Sequence, residues 1–162
     1  MHPILILQLL VLVAVANGTA VVIKRVLGDA LARPLDGGAM FVDGRPLLGP
    51  AKTLRGIVGS LLATPIAAVL MGLGWEVGAV VAVAAMAGDL LSSFVKRRLG
   101  FPSSSMAIGL DQIPESLFPL LASRLLLPVS LLDISAGVAI FLVGELALSR
   151  LLFKLRIRDE PY

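Results

Sequence analysis

The chain has 162 residues, of which 57% are hydrophobic and only 15% are charged, and its mean hydropathy is +0.96. A soluble domain of this length would carry far more charge, so the composition excludes an ordinary soluble enzyme and indicates an integral membrane protein. The chain has no cysteine, which excludes thiolate chemistry, disulfides and sulfur-ligated metals. Its single histidine, His2, is poorly placed for imidazole catalysis.

Five apolar segments approach the length of about 20 residues that a helix needs to cross a bilayer. They are predicted at 4–23, 55–73, 77–95, 113–131 and 134–153. The fourth is interrupted by Pro114, Glu115, Pro119, Arg124 and Pro128. We expect it to be a broken helix and count it as a span. The sequence therefore predicts an all-α integral membrane protein with about five transmembrane helices, long cytoplasmic loops and a single domain over residues 1–162.

Positive charge is concentrated in alternate connections, at 24–54, 96–112 and in the tail from Lys154. The cations are Lys24, Arg25, Arg33, Arg45, Lys52, Lys96, Arg97, Arg98, Lys154, Arg156 and Arg158. The other connections carry only Glu76 and Asp133. By the positive-inside rule, this predicts a multi-pass protein of the cell membrane with its N-terminus outside and its loops and C-terminus cytoplasmic. The net charge of +3 then indicates orientation and contact with anionic membrane lipids, with no nucleic-acid partner.

An acidic residue inside the third apolar segment marks a candidate site. Inserting an Asp such as Asp89 into a bilayer costs about 2.5 to 3.5 kcal/mol, so a functional role is its default interpretation. At about 100° per residue, Ser93 and Lys96 follow on the same helix face, with Arg97 beside them. A carboxylate, a hydroxyl and cations in one row suit a polyphosphate bridged by a divalent cation. Ordinary anchoring at the membrane surface is the alternative for the cations.

Asp111 supplies a second carboxylate, at the end of the second inner loop. Two oxygen donors with no His or Cys nearby suit Mg²⁺, and they leave room for a second ion. The sequence therefore predicts Asp89 and Asp111 as metal ligands. The alternative for Asp111 is a solvated loop residue.

The first inner loop brings further cations to the start of the second helix. Lys52 and Arg55 stand where a helix N-terminus would favour an anion. The glycine spacing before Lys52 does not match a P-loop. Asn17 is expected in the inner half of the first span, where it either lines the same cavity or hydrogen-bonds to a neighbouring helix.

Several motifs occur in order along the chain. They are Pro34-Leu35-Asp36-Gly37-Gly38, Asp43-Gly44-Arg45-Pro46-Leu47-Leu48-Gly49, Lys52-Thr53-Leu54-Arg55-Gly56, Gly88-Asp89 with Ser93 and Lys96-Arg97-Arg98, and Leu110-Asp111-Gln112. This series resembles the CDP-archaeol synthase family, which are small integral-membrane cytidylyltransferases related to CDP-diacylglycerol synthase. The resemblance runs from about Asn17 to Asp111.

The resemblance implies an enzyme that transfers the CMP moiety of CTP to a membrane lipid phosphate with Mg²⁺, forming a CDP-lipid and releasing pyrophosphate. It implies catalytic roles for Asp89, Lys96, Arg97 and Asp111. It implies substrate-binding roles for Ser93, Lys52, Thr53, Arg55, Asp36 and Asn17. Both a CDP-archaeol and a CDP-diacylglycerol product remain open, because either kind of lipid chain would meet the same apolar bundle.

Two other classes of protein are considered. A small ion-coupled membrane transporter would also explain an intramembrane Asp, although the inverted repeat typical of transporters is missing. A phosphatidyltransferase that uses CDP-alcohols would need an Asp-Gly-Ala-Arg pattern, which Asp36-Gly37-Gly38-Ala39 does not continue. The arrangement on one helix face further predicts that Asp89→Asn abolishes turnover, whereas Arg98, on the far side of that helix, tolerates alanine.

Overall fold

A computed structural model describes residues 1–154 of the chain, with side chains to residue 150. Five helices follow one another: α1 Pro3–Leu27, α2 Leu54–Leu70, α3 Trp75–Arg98, α4 Gln112–Ser123 and α5 Leu131–Lys154. Within residues 1–154, β pairing is limited to two isolated bridges in the loop between α1 and α2. The tail cations Arg156 and Arg158 and the side chain of Lys154, which the charge prediction counted, lie outside the described residues, as does the end of the predicted domain 1–162.

Three helices are long and apolar enough to cross a membrane: α1, α3 and the part of α5 up to Arg150, with mean hydropathies of 2.4, 1.8 and 2.0. α2 is apolar too but shorter, with 17 residues, or about 26 Å of helix. Pro3 begins α1 at a position where its missing amide hydrogen is not needed by the helix. The predicted all-α membrane class and the predicted number of helices are confirmed.

The fourth helix is shorter than the predicted span 113–131. α4 has 12 residues, or about 18 Å of helix, against a hydrocarbon core of about 30 Å. The chain then turns, because Ser130 and Asp133 cap the next helix reciprocally. The amide of Asp133 donates to the Ser130 hydroxyl at 3.1 Å, and the amide of Ser130 donates to the Asp133 carboxylate at 3.0 Å. This capping box begins α5 where the sequence predicted the end of the preceding span.

Small residues let α2 and α3 pack closely. A Cβ atom added to Gly78 would lie 2.7 Å from the carbonyl oxygen of Thr64 and 2.8 Å from the Cβ of Ala68, closer than carbon atoms pack. Next to this contact, the core contains fully buried side chains of α1, α3 and α4, including Leu12, Val81 and Leu120. Close backbone approach of this kind is how membrane helices gain packing energy in the absence of water.

The helices alternate in direction, so the two ends of the bundle differ. At the far end, α1 and α5 are joined: the His2 amide donates to the Asp133 carboxylate at 2.9 Å, and the His2 ring nitrogen lies 3.1 Å from its other oxygen. At the opposite end, α1 and α3 finish while α2 and α4 begin. We call this second end the site end, because it carries both long loops, 28–53 and 99–111.

Candidate functional site

A cavity of about 740 Å³ lies at the site end of the bundle, beside a second cavity of about 390 Å³. They share Lys24, Lys52 and Asp89 in their walls, so we treat them together as the cleft. Its charged and polar lining comprises Asn17, Lys24, Asp29, Lys52, Thr53, Arg55, Asp89, Lys96, Ser103, Ser104, Ser105, Asp111, Glu115 and Glu145. Most of the predicted site residues therefore line one space, although three different helices and two loops supply them.

Lys52 and Asp89 form the first ion pair of the cleft. The Lys52 ammonium nitrogen lies 2.5 and 2.6 Å from the two carboxylate oxygens of Asp89, 37 residues away in sequence. Their side chains are only 24% and 20% exposed. The charge of an acid in the middle of an apolar helix is thus balanced by a cation from the loop between α1 and α2, as a low-dielectric site requires.

Lys96 and Asp111 form a second, more buried pair. The Lys96 nitrogen lies 2.7 Å from Oδ1 of Asp111 and donates to the carbonyl oxygen of Ser105 at 2.8 Å. The other oxygen of Asp111 accepts from the amide of Ala107 at 2.8 Å. The second inner loop is therefore folded around this pair, and the alternative of a solvated loop Asp does not apply, since Asp111 is only 8% exposed.

α4 adds an acid that sequence reasoning did not select. Glu115 lines the cleft, accepts from the Asn17 side chain at 3.1 Å, and lies within hydrogen-bonding reach of Asp89. The close approach of α4 depends on Gly88, where an added Cβ would lie 2.6 Å from the carbonyl carbon of Pro114. Glu115 has the same feature that marked Asp89, because it is an acid within an apolar segment. The prolines around it predict a break in the helix, and the acid was therefore interpreted only as part of that interruption. Asn17 lines the cavity as predicted and hydrogen-bonds to a neighbouring helix as well.

Thr53 and Arg55 line the smaller part of the cleft, and both also hold local structure. The Thr53 hydroxyl caps α2 by accepting from the amide of Gly56 at 3.4 Å. Arg55 donates to the carbonyl oxygens of Gly28 and Ala30, just beyond the end of α1. These contacts join the start of α2 to the end of α1, and the predicted substrate contacts of both residues stay predictions.

Ser93 and Arg97 lie in the buried wall of α3 behind the cleft and are not part of its lining. Ser93 is 3% and Arg97 5% exposed. The Arg97 guanidinium donates to the carbonyl oxygen of Pro102 at 2.8 Å. Arg97 thus holds the 99–111 loop over Lys96, and direct contact of Ser93 or Arg97 with substrate stays a prediction.

Asp36 organises the first inner loop rather than lining the cleft. Its carboxylate accepts from the amides of Gly38, Leu48 and Gly49 at 3.0, 2.9 and 3.3 Å. Burial by itself raises the pKa of Asp36, but these backbone donors outweigh it and leave the pKa below its usual range. Asp36 thereby closes a loop onto Leu48, which lies 12 positions further along the chain. Its predicted substrate-binding role stays a prediction.

Arg98 differs from its predicted role as a dispensable anchor. Its guanidinium nitrogen Nη1 lies 3.2 Å from a carboxylate oxygen of Asp43, and Nη2 donates to the carbonyl oxygen of Pro46 at 2.5 Å. The guanidinium carbon also lies over the rings of Phe41 and Phe94, 4.6 and 4.9 Å from their centroids. A helical projection of α3 places Arg98 on the face opposite Asp89, and Arg98 does lie outside the cleft. The projection does not show that residues 41–46 pack on that far side, so Arg98 holds the loop between α1 and α2 onto α3.

The donor chemistry of the cleft fits a divalent cation bound together with a phosphate. Asp89 and Asp111 face one cavity, and oxygen donors are those that Mg²⁺ prefers. Among the described residues, no group of three or more His, Cys, Asp or Glu side chains is arranged to hold a metal alone. The arrangement is therefore one in which substrate phosphates would complete the coordination, as is common for Mg²⁺.

Comparison with known proteins gives a consistent result. A family model described as "CarS-like: CDP-archaeol synthase" matches residues 2–77 and 74–162. The chain is 34% identical to a CDP-archaeol synthase of Pyrobaculum calidifontis over 91% of each chain, and 32% identical to one of Sulfurisphaera tokodaii over 91% of this chain and 89% of the relative.

A solved structure described as an intramembrane enzyme for archaeal membrane lipids biosynthesis superposes with a TM-score of 0.75 at 33% identity, covering 87% of this chain and 90% of that one. These matches support the formation of a CDP-lipid by a CTP-dependent enzyme and give no support to the transporter alternative. The chain is accordingly a CTP-dependent cytidylyltransferase of the membrane, and it belongs to the CDP-archaeol synthase family.

Proposed function

We propose that this chain transfers CMP from CTP to the phosphate of an archaeal-type isoprenoid ether lipid, with Mg²⁺ as cofactor and its site on the cytoplasmic face. CDP-lipid formation is the reaction of its family, and the choice of an ether lipid follows the relatives, which are CDP-archaeol synthases. The observation that carries the proposal is the presence of Lys52–Asp89 and Lys96–Asp111 in the wall of one cavity.

The two pairs suit a reaction between two anions. A CTP triphosphate and a lipid phosphate repel each other, so a site that joins them must supply cations at fixed positions. Lys52 and Lys96 are held in place by their carboxylate partners and line the larger cavity, so phosphate oxygens that enter the cleft come within their reach. The lysines are thereby already in position to bind the triphosphate, so the charged groups of the site need little rearrangement when the reaction occurs.

The bond changes are those of an in-line displacement at phosphorus. An oxygen of the lipid phosphate attacks the α-phosphorus of CTP, the bond between the α-phosphorus and the bridging oxygen breaks, and pyrophosphate leaves. No covalent intermediate with the protein is required. The residues of the chain orient the two phosphates, and Lys52 and Lys96 balance the charge that develops on the leaving pyrophosphate.

Asp89 and Asp111 are the residues that would hold Mg²⁺. When bound, the ion would neutralise the triphosphate and polarise its α-phosphoryl group. Both carboxylates line the larger cavity, and the amide of Ala107 fixes one oxygen of Asp111 by a hydrogen bond. A second ion could share the same oxygen donors.

The proposed orientation follows from charge. The site end carries the cations of the last turns of α1 and α3, including Lys24, Arg25 and Lys96. The far end carries Glu76 and Asp133 in the first turns of α3 and α5, and among the described residues it has one Lys or Arg, Arg124 after α4. The positive-inside rule therefore supports a cytoplasmic cleft.

The test is conversion of CTP radiolabelled at the α-phosphorus by purified protein in detergent with Mg²⁺. Unsaturated archaetidic acid, the ether lipid phosphate, and phosphatidic acid are offered separately. We expect label in a lipid-soluble CDP product, with the ether lipid converted at least tenfold more efficiently. Equal use of phosphatidic acid would refute the lipid assignment, and no product from folded protein with either lipid would refute the reaction.

Asp→Asn substitutions at two positions provide the matched control. Asp89→Asn removes a charge inside the cleft and should abolish product formation. Asp43→Asn removes a charge from the loop outside the cleft and should leave the chemical step intact. Removing Mg²⁺ with a chelator should stop the wild-type reaction. Adding Mg²⁺ back should recover the activity, whereas adding Ca²⁺ in its place should not.

A further inference from the structure

The cleft extends between α1 and α5, although these helices are joined at the far end. There the His2 amide and ring contact Asp133. At the site end, Asn17 and Lys24 of α1 and Glu145 of α5 instead stand on the walls of the 740 Å³ cavity. The two helices thus diverge toward the site end, and polar space separates them where they would otherwise pack.

The margin of this space meets the apolar outer surface of the bundle. Val21 lines the cavity and is also 68% exposed. On α5, Leu148 follows Glu145 by three positions, which places it about 60° from Glu145 around the helix, and it is 53% exposed. In a membrane, exposed apolar side chains on spanning helices face lipid. The cleft is therefore bordered by lipid along the edge between α1 and α5.

Lys24 stands on this margin and is available to an anion. It lines both cavities, lies in the last turn of α1 and is exposed. Lys52 and Lys96, by contrast, are each paired with a carboxylate. Among the ion pairs and side-chain hydrogen bonds of the described residues, none involves the Lys24 side chain. A lysine at the bilayer boundary keeps its ammonium group at phosphate level while its stem lies along apolar surface.

We propose that the lipid phosphate substrate reaches the cleft laterally between α1 and α5, and that Lys24 binds its phosphate group at the margin. The chains of the lipid remain against the exposed apolar side chains of α1 and α5. The phosphate then points along the cavity toward Asp89, while CTP occupies the part walled by Lys96 and the 99–111 loop. This inference rests on the proposed function and adds the side of approach and a recognition residue for the lipid substrate.

The test compares two neighbouring cations at the end of α1. Lys24→Ala removes the cation that lines the cleft, and Arg25→Ala removes an exposed cation that lines neither cavity. Initial rates are measured in mixed micelles in two series. In one the surface fraction of lipid phosphate is varied at saturating CTP, and in the other CTP is varied at a saturating fraction of lipid phosphate. For Lys24→Ala we expect the KM for lipid phosphate to rise about tenfold, as for loss of one charge-assisted contact. The KM for CTP should stay within about twofold, Lys24→Arg should restore most of the affinity, and Arg25→Ala should change neither KM.

The failures of the two proposals are distinguishable. If wild-type protein forms no CDP-lipid, the proposed function fails. If wild-type protein is active but Lys24→Ala keeps the wild-type KM for lipid phosphate, or raises the KM for CTP instead, the assignment of Lys24 to the lipid phosphate is wrong. Equal effects of Arg25→Ala would also overturn it, because they would indicate a general electrostatic attraction to the micelle surface.

Photo-crosslinking tests the side of approach independently. A lipid phosphate analogue with a photoreactive group near the start of one chain is incubated with wild-type protein, and the labelled peptides are identified. We expect labelling around Val21 on α1 and Leu148 on α5, and its loss when excess unlabelled lipid phosphate is added. Competable labelling confined to α2 and α4 would place the approach elsewhere and overturn the inference.

Discussion

Replacing Lys52 by alanine tests the central feature of the cleft, the pairing of a loop cation with an intramembrane carboxylate. Lys52 contacts both oxygens of Asp89, at 2.5 and 2.6 Å. The substitution leaves this carboxylate without its cation and removes a positive charge from the place where pyrophosphate would leave. We therefore expect losses in both catalysis and stability, and their relative sizes can be worked out from the structure.

The catalytic loss should be the larger. Removing one preorganised group that stabilises transition-state charge lowers kcat by about 10² to 10³. Exposed ion pairs contribute about 0 to 1 kcal/mol, and breaking a buried pair costs about 3 to 5 kcal/mol. With 24% and 20% of the side chains exposed, Lys52 and Asp89 fall between these limits, so we expect a loss of about 1 to 2 kcal/mol. For a chain of this size, that lowers Tm by roughly 2 to 8 °C.

The assay measures CDP-lipid formation at saturating substrates, with thermal denaturation of the same detergent-solubilised samples. Arg33→Ala is the matched control, because Arg33 is an exposed cation of the same loop that lines neither cavity. It should retain activity and Tm. In the double variant of Lys52→Ala with Asp89→Asn, the effects should not add, since the two residues act as a unit.

A Lys52→Ala protein that keeps more than a tenth of the wild-type kcat would refute this reasoning. An activity loss matched by Arg33→Ala would refute it as well, because the effect would then come from loop charge in general. Strictly additive effects of the Lys52 and Asp89 substitutions would show that the pair does not function as one site.

Three further outcomes are expected. Gly88→Ala pushes α4 away from α3 and should destabilise the protein by about 1 to 3 kcal/mol in thermal denaturation, whereas Gly144→Ala, with open space around it, should change stability by less than about 1 kcal/mol. Arg98→Ala should raise limited proteolysis of the 41–46 segment about tenfold, because its ion pair and ring contacts are lost; an unchanged cleavage rate would contradict its anchoring role. Because the pKa of Asp36 is lowered on folding, its stabilisation of the loop is present above the ordinary carboxyl pKa of about 4 and is lost as the pH falls through the lower folded value. Loop protection in wild-type protein should therefore decline in acid, and Asp36→Asn should remove that dependence.

Local sequence features were enough to predict the helices and part of the site. Runs of apolar residues predict helices because a bilayer leaves no other way to satisfy the backbone. Asp89 was found for the same reason, since an acid in such a run is too unfavourable to be incidental. These inferences use only the residue and its neighbours along the chain, so they do not depend on knowing how the helices pack.

The remaining features depend on contacts between distant segments. The partner of Asp89 is 37 residues away, and nothing in the periodicity of either segment identifies Lys52 as that partner. Glu115 faces the cleft only because Gly88 lets α4 approach α3. The helical projection of α3 placed Arg98 correctly but could not show the loop that packs there. Long-range packing, rather than local pattern, decides these roles.

The connections differ in length between the two ends of the bundle, and this difference bears on the side of the membrane at which substrates enter and products leave. At the far end the helices are joined by short turns, 71–74 and 124–130, and at the site end by the loops 28–53 and 99–111. The cleft opens among the long loops, so the proposed function has CTP arrive and pyrophosphate depart on one face of the membrane. The lipid keeps its chains in the adjacent leaflet and receives the nucleotide there. The proposed reaction is thus not vectorial, because both substrates and both products stay on the same side of the membrane and no transmembrane gradient is needed.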